Sequence, residues 1–205
     1  MGRAVLFSDL GTGSNVYSLY GVSGVISGSS SPEGGSYTTA QLFTVGGAGA
    51  QAVGQIDLGV TYIDPPYTFY ASLWTDSSGA PGTQVAGAFW NNLSTNEAVF
   101  TCCSLVTISG ISGVTLTGGQ SYFLVLGPVS ISDTSLNVWM FNTVGAVGDY
   151  QYSNNGGSSW VDEGAPGPLS AFDILGTPEP ASLGLSGLGL AGMFLLRGRR
   201  RGLSR

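Results

Sequence analysis

Tyr67-Thr68-Phe69-Tyr70-Ala71-Ser72-Leu73-Trp74-Thr75 decides the fold. Successive side chains of an extended chain point to opposite faces, so Phe69, Ala71 and Leu73 share one face, and Thr68, Tyr70, Ser72 and Trp74 the other. The first face is a core face, and the aromatic and small residues suit a pleated, half-buried surface. Turn chemistry bounds the run on both sides, with Asp64-Pro65-Pro66 before it and Asp76-Ser77-Ser78-Gly79 after it.

Working outward, similar short runs occur at Val5 to Leu10, Ala52 to Ile63, Gln84 to Trp90, Ala98 to Ile108, Ser121 to Leu126, Leu136 to Phe141 and Ser170 to Leu175. Gly118-Gly119 and Asn154-Asn155-Gly156-Gly157 supply further turns. Between Ala4 and Gly176 no segment of about 12 residues carries a helical period. About eight or nine strands at this spacing predict an all-β body, a single β-sandwich or jelly-roll-like domain over residues 1–176. Roughly 175 residues are ample for one such core.

Charge narrows the function. All six basic residues are arginines and five lie in the last nine positions, so Arg3 alone faces twelve carboxylates in residues 2–180. A body this acidic repels phosphate backbones, so no nucleic-acid partner is expected, and anionic headgroups are disfavoured as well. The chain lacks histidine and lysine, which removes the commonest general base, the commonest metal ligand and the usual Schiff-base amine. A non-enzymatic body follows, with no catalytic residue and no cofactor.

Residues 177–205 are of another kind. Pro178-Glu179-Pro180 precedes an apolar run, residues 181–196, and then Arg197, Arg199, Arg200, Arg201 and Arg205. Sixteen residues give roughly 24 Å of helix, short of the roughly 20 residues of a stable span. The reading is a short C-terminal transmembrane helix, marginal as a permanent anchor. Basic residues beside a span stay cytoplasmic, so the arginine cluster stops the chain at the inner membrane with the C-terminus inside and the body outside. Gly184, Gly187, Gly189 and Gly192 leave the helix surface small, as where membrane helices pack closely.

This order of tripeptide, apolar run and terminal arginines resembles the PEP-CTERM sorting signal of bacteria that secrete exopolysaccharide. The resemblance covers the last 28 residues. It implies export to the cell envelope or extracellular surface, and a membrane-embedded exosortase that recognises Pro178, Glu179 and Pro180 and removes the helix. Met1-Gly2-Arg3 is followed only by Ala4 to Phe7 before Ser8-Asp9, too little for a secretory leader. The expectation is that the N-terminal signal peptide is missing from this sequence and that the chain begins near its mature start.

The body has a second resemblance. Leu73-Trp74-Thr75-Asp76-Ser77-Ser78-Gly79-Ala80-Pro81-Gly82-Thr83, with Gly119-Gln120-Ser121-Tyr122 and the segment Trp139 to Trp160, looks like the choice-of-anchor β-sandwich domains found ahead of such tails. Those domains generally carry no assigned activity. A plain turn also accounts for these residues: Asp76 closes an Asx turn, Gly79 takes a positive φ, and Pro81-Gly82 makes a second reversal.

Other candidates are weighed against equally plain readings. Asp76, Ser77 and Gly79 with Asp64 offer oxygens to calcium, but no run reproduces a calcium loop. Adjacent Asp162 and Glu163 point to opposite sides of an extended chain and read as solvated charges rather than a glycosidase pair. Gly46 to Gly49 lacks the lysine and helix of a phosphate loop. Trp74, Trp90, Trp139 and Trp160 form a sugar-stacking platform if they share an exposed face; the alternative is core packing. Cys102 and Cys103 on a strand project to opposite faces, which predicts two reduced thiols, and without a histidine neither is a nucleophile.

Taken together, the sequence describes an exported structural or adhesive component of an exopolysaccharide-associated envelope or biofilm. The alternative is a surface carbohydrate-binding module.

Overall fold

A computed structural model describes residues 2–164 and 166–178. In chain order its strands are β1 (Val5–Ser8), β2 (Val22–Ser27), β3 (Thr38–Thr44), β4 (Ala50–Leu58), β5 (Val60–Asp64), β6 (Thr68–Asp76), β7 (Pro81–Ser94), β8 (Val106–Ser109), β9 (Thr115–Thr117), β10 (Ser121–Pro128), β11 (Leu136–Met140), β12 (Val147–Gly148), β13 (Tyr150–Ser153), β14 (Val161–Asp162), β15 (Gly167–Pro168) and β16 (Phe172–Gly176). The described residues are all-β, as expected. No helix among them is long and apolar enough to cross a membrane; the predicted span at 181–196 and the arginine cluster lie outside the described residues.

The deciding strand behaves as its alternation requires. β6 lies inside a six-stranded sheet of order β14-β13-β3-β10-β6-β7. Phe69, Ala71 and Leu73 are fully buried in the main core, together with Phe43 of β3 and Leu124 and Leu126 of β10. From the opposing layer come Leu6, Ile56, Leu58, Phe172 and Ile174 of the sheet β1-β16-β4-β8. The rings of Phe7 and Phe172 meet Phe43 at centroid distances of 5.4 and 5.7 Å, which joins the two layers.

A smaller sheet, β2-β11-β5, extends the second layer. The expected single run from Ala52 to Ile63 is broken at Gly59, where β4 leaves one sheet and β5 enters the other. At that point the Gly59 carbonyl accepts from Met140 N and its own N–H donates to the Ala171 carbonyl. A Cβ there would stand 3.0 Å from the Tyr17 ring and 3.1 Å from Ala171 Cβ. Close packing by these two side chains favours glycine there.

Two more expectations change. Of Ala98 to Ile108, only the stretch from Val106 onward is strand; upstream, Tyr62 N donates to the Glu97 carbonyl and Thr101 N to the Ala98 carbonyl, turning the chain. β7 begins at Pro81, which pairs with Asp76, so Pro81-Gly82 is strand rather than a second reversal.

Candidate functional site

The chain leaves the fold under tight control. β16 is flanked by β1 and β4, and its apolar alternation puts Phe172 and Ile174 in the core. At its end Gly176 N donates to the Ala4 carbonyl at 2.7 Å, and Thr177 N to the Ala52 carbonyl at 3.0 Å. Gly54 passes so close that a Cβ there would lie 2.9 Å from both the Gly176 oxygen and Thr177 Cα. No linker separates sheet from tail: Thr177 still belongs to the sheet, and Pro178 is the next residue. Glu179, Pro180 and the residues after them lie outside the described residues.

The four tryptophans do not form one platform. Trp139 is fully buried in the core, with its Nε1 donating to the Ala171 carbonyl at 3.1 Å and its ring 5.4 Å from Phe172. No sugar can reach it. Trp90 packs against the same core, because its position opposite Ala71 places it on the inner face. Only Trp74 and Trp160 come together, edge to face with centroids 6.3 Å apart, half-buried on the outer face of the six-stranded sheet.

That outer face also carries Tyr70, expected there from the alternation of β6, and Phe89, which the sequence reading left out. Tyr70 and Phe89 meet at 5.2 Å, and Phe89 is 46% exposed. Beneath them lie Ala40, Phe123 and Val125, all fully buried. Gln151 of β13 donates from Nε2 to the Gly79 carbonyl at 2.9 Å. That bond reaches past β3 and β10 to tie down the β6–β7 turn. The turn is an Asx turn as expected: Asp76 Oδ1 accepts from Gly79 N at 2.8 Å, and Gly79 has φ +88°. Asp64 sits at the far end of β6 from Asp76, nine residues at about 3.3 Å each, so the two carboxylates do not share a site. Among the described residues no group of three or more Asp, Glu or Cys side chains is placed to hold a metal.

Carboxylates converge elsewhere. Asp57 of β4 and Asp173 of β16 are direct cross-strand partners on the face away from the core. Thr107 Oγ1 donates to one oxygen of Asp57, and Gln55 Nε2 to the other at 2.6 Å. Burial, then the charge of Asp57 and the hydrogen bond with it, raise Asp173 to about 7. Like charges this close disfavour double ionisation, which favours the protonated form of Asp173. Asp9 is buried beside them. Its Oδ1 accepts from Phe172 N at 2.8 Å, its Oδ2 has no partner, and burial pushes it to about 7 against the lowering effect of that N–H. The cluster was invisible in sequence because its members come from three distant segments. Asp162 and Glu163 are both exposed, and Asp162 accepts from Gly164 N.

The strand expected at Cys102 and Cys103 is not formed: residues 101–105 are a loop ahead of β8, where strand alternation does not apply. Both sulfurs lie within reach of the Ser14 carbonyl.

A closed sandwich whose last strand runs without a linker into a separate address defines a class: a folded cargo with a C-terminal sorting tail. Residues 177–201 match the family model of the PEP-CTERM protein-sorting motif. The chain therefore carries a PEP-CTERM signal, the mark of a protein exported to the cell envelope and processed by an exosortase. No curated protein matches the chain, and the likeness of the body to choice-of-anchor domains has no relative behind it.

Proposed function

We propose that this protein is a non-enzymatic surface or matrix component, held at the membrane by the apolar run 181–196 with its arginines inside, and freed or transferred when an exosortase cuts near Pro178-Glu179-Pro180. The observation that carries this reading is the position of the motif, which starts at Thr177, the residue directly after β16, whose N–H is still bonded to the Ala52 carbonyl. In such an arrangement the whole sandwich is cargo. The absence of histidine and lysine from the chain favours a structural or adhesive role in an exopolysaccharide-rich envelope.

The test is to express the chain behind a secretory leader, with an epitope in the exposed Glu33–Gly34 turn, with and without the exosortase. Loss of the tail's mass only with the enzyme, and product outside the cell, is the expected result. An unchanged mass in the membrane fraction under both conditions would make the tail an ordinary anchor.

A second reading has its own observation, the half-buried Trp74–Trp160 pair beside exposed Phe89. Aromatic faces suit the apolar side of a pyranose ring, so this face is where a carbohydrate-binding module would work. Glycan binding that survives both Trp74→Ala and Trp160→Ala would eliminate it.

A further inference from the structure

One end of the sandwich is set apart by connectivity and by charge. Around the exit of β16, four segments are laced together by backbone bonds: Gly176 N to Ala4 O, Thr177 N to Ala52 O, Gly46 N to Leu6 O and Gly118 N to Gly49 O. The segments that build this end, residues 2–4, 45–49, 110–114 and 118–120, contain no carboxylate and one cation, Arg3. At the opposite end, where β5 and β10 finish, stand Asp64 and Asp133. Asp76 is the one acidic residue on a turn at the tail end, and the Gln151–Gly79 bond draws that turn toward β13.

From this we propose that the end where β16 exits, with Ala48 and Val5 exposed on it, lies against the lipid headgroups before processing. The inference rests on the reading that residues 181–196 enter the membrane. Thr177 is fixed to the sheet, and Ala181 is only four residues further, a reach of at most roughly 14 Å. The headgroup layer takes up about 5–7 Å of that. The body's end is therefore held within about one Debye length, ~8–10 Å, of the lipid charges. At this distance the exit point of β16 and the short tether fix which end of the body faces the lipid.

The experiment reconstitutes the full chain into vesicles of phosphatidylcholine with one-quarter phosphatidylglycerol. A photo-crosslinking benzoylphenylalanine replaces either Ala48 or Ser132, which lie in exposed loops at opposite ends. After illumination, lipid adducts are counted by mass spectrometry on protein that floats with the vesicles. Adducts at position 48 should exceed those at position 132 by fivefold or more, and a 12-residue Gly/Ser insertion between Gly176 and Thr177 should cut them severalfold. Equal adducts at both positions, or none at position 48 in floating protein, would overturn the inference while leaving the membrane reading intact. A chain that fails to float overturns that reading and the inference with it. With the exosortase co-reconstituted, adducts at position 48 to polypeptide instead of lipid would assign this end to the enzyme and overturn the lipid assignment.

Discussion

Asp173 faces Asp57 across the β16–β4 ladder with one Asp173 oxygen buried and unpartnered, so the strand that delivers the sorting motif carries a carboxyl directly opposite another carboxyl. Like charges directly opposite each other destabilise a sheet. Here the repulsion is relieved by a proton, and Asp9 repeats the condition one strand away, next to Phe172.

A dependence on pH follows. Asp9 and Asp173 are raised from 3.8 to about 7, so the folded state holds protons that the unfolded chain has released. Their stabilisation is complete below about pH 4 and is lost as pH rises through 7. Thermal unfolding should show a higher Tm at pH 5 than at pH 8. Asp173→Asn should flatten that slope and raise the Tm at pH 8. An identical slope in the variant would show that the pair is not its source.

Tryptophan substitutions should split by face. Trp139→Ala removes a fully buried ring and one of the two donors to the Ala171 carbonyl, with an expected loss of about 3–5 kcal/mol. Trp160→Ala, on the half-buried outer face, should cost about 1 kcal/mol. Urea unfolding of the two variants measures the difference, and equal losses would contradict the placement.

At Gly59 an added methyl meets Tyr17 and Ala171. Gly59→Ala is expected to cost about 1–3 kcal/mol by overpacking, whereas Gly167→Ala, with nothing within 4 Å of the added carbon, should stay within about 0.5 kcal/mol. Denaturant midpoints report both.

Processing and folding should separate cleanly. Glu179→Ala is expected to abolish exosortase-dependent loss of the tail, read by intact mass, and to leave the Tm of the body unchanged. A shifted Tm would mean that the motif is part of the fold.

Much of the architecture was written locally. β6 and β16 were legible because each alternates apolar and polar residues against one buried face. β3 was not: Thr38, Thr39 and Gln41 are buried, so a central strand reads as a polar stretch. Two of them are satisfied by partners on other segments, Thr39 Oγ1 donating to the Val25 carbonyl and Gln41 Oε1 accepting from Ser170 N. A partner 129 residues away leaves no local trace.

The same division separates address from site. The tail's identity is a matter of residue order alone, because Pro-Glu-Pro, an apolar run and arginines act through partition between water and lipid, which depends on composition. Which tryptophans are reachable, which carboxylates face each other and which end of the sandwich carries the tail were decided by strand pairing. Pairing joins residues by register across the sheet, and register is set by the packed core as a whole.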